Sequence, residues 1–89
     1  MLVKFFAYLR DYTNTKEVTI VGCETVRELM QVLCRRYGKK FEEKVFPGSE
    51  LGSEVILLLN GRHIAHYDGL DTKLRSEDEI CVFPVVAGG

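Results

Sequence analysis

From Leu2 to Leu9 the chain is apolar or aromatic at almost every position, broken only by Lys4, a composition suited to a β-strand. If Val3, Phe5 and Ala7 face a core, then Lys4, Phe6 and Tyr8 face outward. Asp11 to Thr15 is polar and turn-like, and Glu17 to Val21 reads as a second strand, completing a hairpin.

The pattern then changes period. Thr25-Val26-Arg27-Glu28 fits a capping box, in which the Thr hydroxyl and the Glu carboxylate satisfy free backbone N–H groups at a helix start. Val26, Leu29, Met30, Leu33 and Tyr37 follow at spacings of three and four, one apolar helical face, and Gly38 is the expected left-handed stop. Lys39 to Phe46 predicts a short second helix using Phe41, Val45 and Phe46 as contacts. Pro47-Gly48 ends it, and Ser49 to Ser53 reads as an exposed loop.

Val55 to Leu59 is five aliphatics in a row, too short for a buried helix and right for a central strand covered on both faces. Asn60-Gly61 predicts a tight primed turn into a short return strand, Arg62 to Ala65. Asp68 to Arg75 is loop or one helical turn anchored by Leu70 and Leu74. Ser76-Glu77-Asp78 turns the chain into a last strand, Glu79 to Pro84, with Ile80 and Val82 inward and Cys81 and Phe83 outward. A hairpin, a helix and a return to the sheet make an α+β roll of the β-grasp, or ubiquitin-like, type. Its mixed sheet of four to five strands packs on one main helix, with the first and last strands side by side. Residues 1–84 form that domain and 85–89 a flexible C-terminal tail.

Composition narrows the function classes. With 89 residues, 46% hydrophobic and 28% charged, the chain reads as one soluble domain. A net charge of −1 gives no reason to expect nucleic acid, and Arg35, Arg36, Lys39 and Lys40 fall where cations complement a helix dipole. No apolar stretch is long enough to cross a bilayer and the first residues lack a secretion signal, so a cytoplasmic protein is expected, with no membrane partner. Cys23, Cys34 and Cys81 are odd in number and far apart, more like small hydrophobes than a disulfide framework.

Chemistry concentrates at one place. There is no nucleotide-binding glycine loop, no strained nucleophile motif, and no third ligand to go with His63 and His66, so neither cofactor nor metal is expected. Glu77, Asp78 and Glu79 are most simply solvated. The end, Val85-Val86-Ala87-Gly88-Gly89, is different. A terminal carboxylate can be activated without disturbing the fold, and glycine has no side chain to block a narrow channel. Five extended residues reach at most about 17 Å, enough to thread into another protein's active site. A carboxylate must first become a mixed anhydride before sulfur or an amine attacks it, so if Gly89 is activated the ATP site belongs to a partner. Phe6 and Phe83 would share an exposed sheet face beside the tail root, a candidate docking surface.

Phe5-Phe6-Ala7-Tyr8-Leu9-Arg10, the helix start at Glu24 to Leu29, Asn60-Gly61, Asp78-Glu79-Ile80 and Phe83-Pro84-Val85-Val86-Ala87-Gly88-Gly89 together resemble the MoaD/ThiS sulfur carriers, nearer the MoaD branch, the small subunits of molybdopterin synthase. The resemblance implies that a MoeB-type adenylating enzyme joins AMP to the Gly89 carboxylate, that a sulfur donor system replaces AMP with sulfur, and that a MoaE-type large subunit receives the thiocarboxylate to build the molybdopterin or tungstopterin dithiolene. It places the reactive tail at Gly88 and Gly89 and partner contacts at Phe6, Phe83, His63, Arg10, Pro84, Val86 and Ala87. The chain would be one subunit of a sulfur-transfer complex and not catalytic alone. Departures are visible: Val85 replaces a frequent second proline, giving a less stiff tail root, Glu77 stands where glycine is common, and His63 where an aliphatic is usual. Two other readings stay open. One is a carrier in thiamine, cysteine or tRNA-thiolation chemistry, or a ubiquitin-like protein modifier. The other is a β-grasp interaction domain with an incidental tail.

Overall fold

In the computed structural model, which describes residues 1–85, five strands form one mixed sheet. They are β1 (Leu2–Phe5), β2 (Glu17–Thr19), β3 (Val55–Leu59), β4 (Arg62–His63) and β5 (Glu79–Pro84), in the order β2-β1-β5-β3-β4. β1 and β5 run parallel in the middle, and every other pairing is antiparallel. The β-grasp roll expected from the element order is the one observed.

The predicted first strand is too long. β1 stops at Phe5, and Ala7 takes a positive φ of 53° that breaks the ladder. The chain then winds through a 3-10 turn (Ala7–Leu9) into a helical turn, α1 (Arg10–Thr13), so Ala7 is exposed and Leu9 is buried instead. An apolar run cannot distinguish a strand from a strand followed by a turn that reinserts one leucine.

The main helix, α2 (Val26–Tyr37), starts as the capping pattern requires. The Thr25 hydroxyl accepts from the Glu28 N–H at 3.2 Å, while the Glu28 carboxylate reaches back to the Glu24 N–H, one residue beyond the usual partner. Val26, Leu29, Met30 and Leu33 are fully buried against the sheet, and Gly38 ends the helix at φ 94°. α3 (Lys39–Val45) follows, burying Phe41, Val45 and Phe46. Phe5 is the hub between them, edge-on to Tyr37 and Phe41 at 5.5 and 6.0 Å.

The helices cover one face of the sheet only. On β3, Val55, Leu57 and Leu59 are buried, but Ile56 and Leu58 are only half-buried, so the strand is not covered on both faces as its composition predicts. Asn60 and Gly61 do form the primed turn, both with positive φ, but the return strand stops at His63 and gives way to a 3-10 turn (Ile64–His66). The segment anchored by Leu70 and Leu74 is a 3-10 turn (Gly69–Asp71). The carboxylate cluster is not simply solvated: Asp78 accepts from the Arg75 N–H at 2.7 Å and from Asn60 at 3.0 Å, and Glu79 pairs with Lys4 at 2.8 Å. No helix among the described residues is long and apolar enough to cross a membrane.

Candidate functional site

Strand alternation builds the uncovered face. Register sets Leu2 beside Glu79, Lys4 beside Cys81 and Phe5 beside Val82, so Phe6 falls next to Phe83. Their rings stack 4.1 Å apart at 11° to one another. The Phe6 N–H donates to the Val82 carbonyl at 3.1 Å, which holds Phe6 in line although β1 has ended. Arg10, brought back by the turn after β1, donates from Nε to the Phe5 carbonyl at 2.9 Å and lies 5.8 Å from the Phe6 ring centroid, within cation–π range. Phe6, Phe83 and Arg10 therefore form one group.

Two residues join that surface without having been foreseen as docking positions. Ile56 pairs with Phe83 across β3 and β5, and Leu58 pairs with both Cys81 and His63. Their signal was the odd and even positions of Val55 to Leu59, masked because all five residues are aliphatic. The result is a graded face. Phe6, Phe83 and Ile56 make its apolar row, Lys4, Cys81, Leu58 and His63 the next, and Leu2 and Glu79 lie toward the far end. The apolar end is where the chain leaves the sheet at Pro84.

His63 sits on β4, one strand beyond Leu58 and away from the aromatic pair. Its Nδ1 accepts from the Ala65 N–H at 3.0 Å, so that nitrogen already serves the turn. Among the described residues no three His, Cys, Asp or Glu side chains come together to hold a metal ion. Burial pushes the Cys81 thiol above its ordinary range, with the Glu79 carboxylate adding to the effect.

The root of the tail is held at one further point. Pro84 pairs with Val55, and the Val85 N–H donates to the Glu54 carbonyl at 2.7 Å, adding one more hydrogen bond to the β3–β5 ladder. A proline at this position would lack that donor. The root expected to be less stiff for want of a ring is thus secured through its N–H. Val86, Ala87, Gly88 and Gly89, the expected reactive end and its approach, lie outside the described residues.

Comparison with known proteins agrees with this geometry. The ThiS family model matches residues 3–89. Small archaeal modifier protein 3 of Haloferax volcanii is 32% identical over 89 residues, covering 98% of this chain and 96% of its own. The solution structure of small archaeal modifier protein 1 from Methanosarcina acetivorans superposes with a TM-score of 0.82 at 34% identity, covering 99% and 94% of the two chains. A Pyrococcus furiosus structure named for molybdopterin converting factor subunit 1 gives a TM-score of 0.75 at 30% identity, over 96% and 95%. An open aromatic sheet face at the tail root, a helix-covered opposite face and a family match across almost the whole chain lead to one conclusion: the chain belongs to the ThiS family, within the β-grasp group of sulfur carriers and ubiquitin-like modifiers.

Proposed function

We propose that the Gly89 carboxylate is the reactive group and that the open sheet face docks the enzymes that charge and use it. One carboxylate oxygen attacks the α-phosphorus of ATP on a ubiquitin-activating-type partner, releasing pyrophosphate and leaving an acyl-adenylate. A nucleophile then displaces AMP: hydrosulfide from a sulfur donor, giving a thiocarboxylate, or a lysine amine, giving an isopeptide bond. This chain supplies no nucleotide site in that scheme. It supplies the arm and the surface that aims it, with Gly88 narrow enough to pass a confined channel. Residues 1–84 act as the docking body and 85–89 as the arm.

The observation that carries the reading is the Phe6–Phe83 stack beside Pro84. A half-exposed aromatic pair with an arginine against it, at the edge from which the arm departs, has the composition of a binding hot spot. Pro84 follows the pair as the last residue of β5, and Val86 and Ala87 are the arm residues that enter the partner with Gly88 and Gly89. His63 extends the contact at the far strand.

Likeness to two small archaeal modifier proteins over nearly their full lengths supports a carrier that also serves as a protein modifier. A second reading, delivery of sulfur to a pterin through a MoaE-type subunit, draws on the likeness to the Pyrococcus furiosus structure named for molybdopterin converting factor. Intact-mass measurement after incubation with ATP, an activating enzyme and a sulfur donor tests the shared step. The expected species has one sulfur in place of one oxygen, and its absence from a reaction that charges a known carrier would refute the proposal. Gly-Gly remnants on lysines of other proteins would identify the modifier route, and sulfur transfer to a pterin precursor the second.

A further inference from the structure

Away from the aromatic face, four separate segments meet at the carbonyl that holds the tail root. Glu54 lies in the turn before β3, and its backbone oxygen accepts the Val85 N–H at 2.7 Å. Its side chain is ion-paired to Lys44, in the last turn of α3. The Lys44 amine also sits 5.2 Å from the centroid of the Tyr8 ring, in the turn after β1. Tyr8 is exposed and takes no part in the core.

The loop before Glu54 is pressed against the same helix end. The Gly52 N–H donates to the Val45 carbonyl at 2.9 Å, and a Cβ on Gly52 would lie 2.4 Å from the Lys44 carbonyl oxygen. Nothing larger than glycine fits there without moving the loop. Gly52 sets the distance between α3 and the turn, and the Lys44–Glu54 pair closes it.

We propose that Lys44, with Glu54 and Tyr8, is a positioning clamp for the reactive arm. It fixes the carbonyl that holds the Val85 N–H, so that the arm starts from residue 85 at a set place and angle beside the Phe6–Phe83 face. Four residues beyond that point reach at most about 14 Å, so an error of a few ångströms at the root is a large fraction of the reach. Confining the root also lowers the ordering cost when the arm enters a partner's channel. The inference rests on the carrier reading for its purpose, though the clamp itself is a property of the free protein.

Amide hydrogen exchange of the free protein by NMR tests the clamp alone. The Val85 amide is expected to be protected, and Lys44→Ala to speed its exchange about three- to tenfold while the Leu57 and Ile80 amides keep their rates. Lys44→Arg should restore protection. A Val85 amide that exchanges as in an unstructured peptide, or equally fast with and without Lys44, would overturn the clamp. Steady-state adenylation then tests its purpose. Lys44→Ala should raise KM for this protein by a similar factor with kcat nearly unchanged, and Glu54→Ala, which removes the paired carboxylate but keeps the backbone carbonyl, should do the same. In the double variant the two effects should not add, because both act through one ion pair. Full additivity would make Lys44 a direct partner contact and refute its positioning role. If the unaltered protein is never adenylated, the carrier reading fails, and the exchange rates alone decide the clamp.

Discussion

The two faces of β5 differ by one residue in register and by everything in environment. Ile80 and Val82 are fully buried under α2 and α3, whereas Cys81 and Phe83 stand half-exposed on the open side. Both faces carry large apolar side chains, so hydrophobicity does not separate them. Cover does: the helices supply enough apolar surface for one face, and the other is left with a stacked pair, an arginine and a lysine–glutamate bridge. One face makes the fold, and the other is the one proposed to dock a partner.

The comparison breaks most visibly at a pair of phenylalanines. Phe5→Ala, at the fully buried hub, should cost about 3–5 kcal/mol, a large part of the stability of a domain this size. Phe83→Ala should cost only about 1 kcal/mol yet weaken binding to an activating enzyme about tenfold or more. Denaturant unfolding and calorimetric titration of both variants measure the contrast. Equal loss of stability would mean that the open face belongs to the core after all.

A smaller effect probes the covered side by pH. Burial pushes the Cys34 thiol up to about 11 from an ordinary 9.0, with the Glu42 carboxylate adding to it. The native state therefore keeps this proton where the unfolded chain has lost it. Its contribution is complete below pH 9 and falls away as pH rises toward 11, by about 1–2 kcal/mol after allowance for residual solvent. Stability measured across that window should decline less steeply in Cys34→Ala than in the unaltered protein.

Thr25→Ala tests how far the cover depends on its cap. Losing the bond from the Glu28 N–H should lower stability by about 1 kcal/mol, with faster amide exchange in the first turn of α2 and none in β5. The smallest effect belongs to the open face: Lys4→Ala removes an exposed bridge to Glu79 and should leave the unfolding midpoint unchanged. A clear drop would show that polar pairs on this face hold the fold.

Legibility in the sequence followed the range of the interactions. The cap at Thr25, the apolar face of α2, the stop at Gly38 and the primed turn at Asn60-Gly61 all depend on residues within a few positions of one another, and each appears where expected. Errors fell where a distant partner decides. Leu2 to Leu9 looks uniform, but only the return of Leu9 to the core ends the strand at Phe5. Asp78 is held by Asn60, eighteen residues earlier in the chain, a partner that local composition does not reveal.

The same division holds for the candidate site. Alternation placed Phe6 and Phe83 outward, because facing is a property of the chain read in order. Which strands lie side by side is not such a property. Tertiary pairing brought Ile56 and Leu58 to the aromatic face, turned Arg10 back onto Phe6, and set Lys44, Glu54 and Tyr8 around the anchor of Val85. Local periodicity fixes where a side chain points along its own strand; what it meets there depends on contacts between segments dozens of residues apart, and only the folded sheet supplies them.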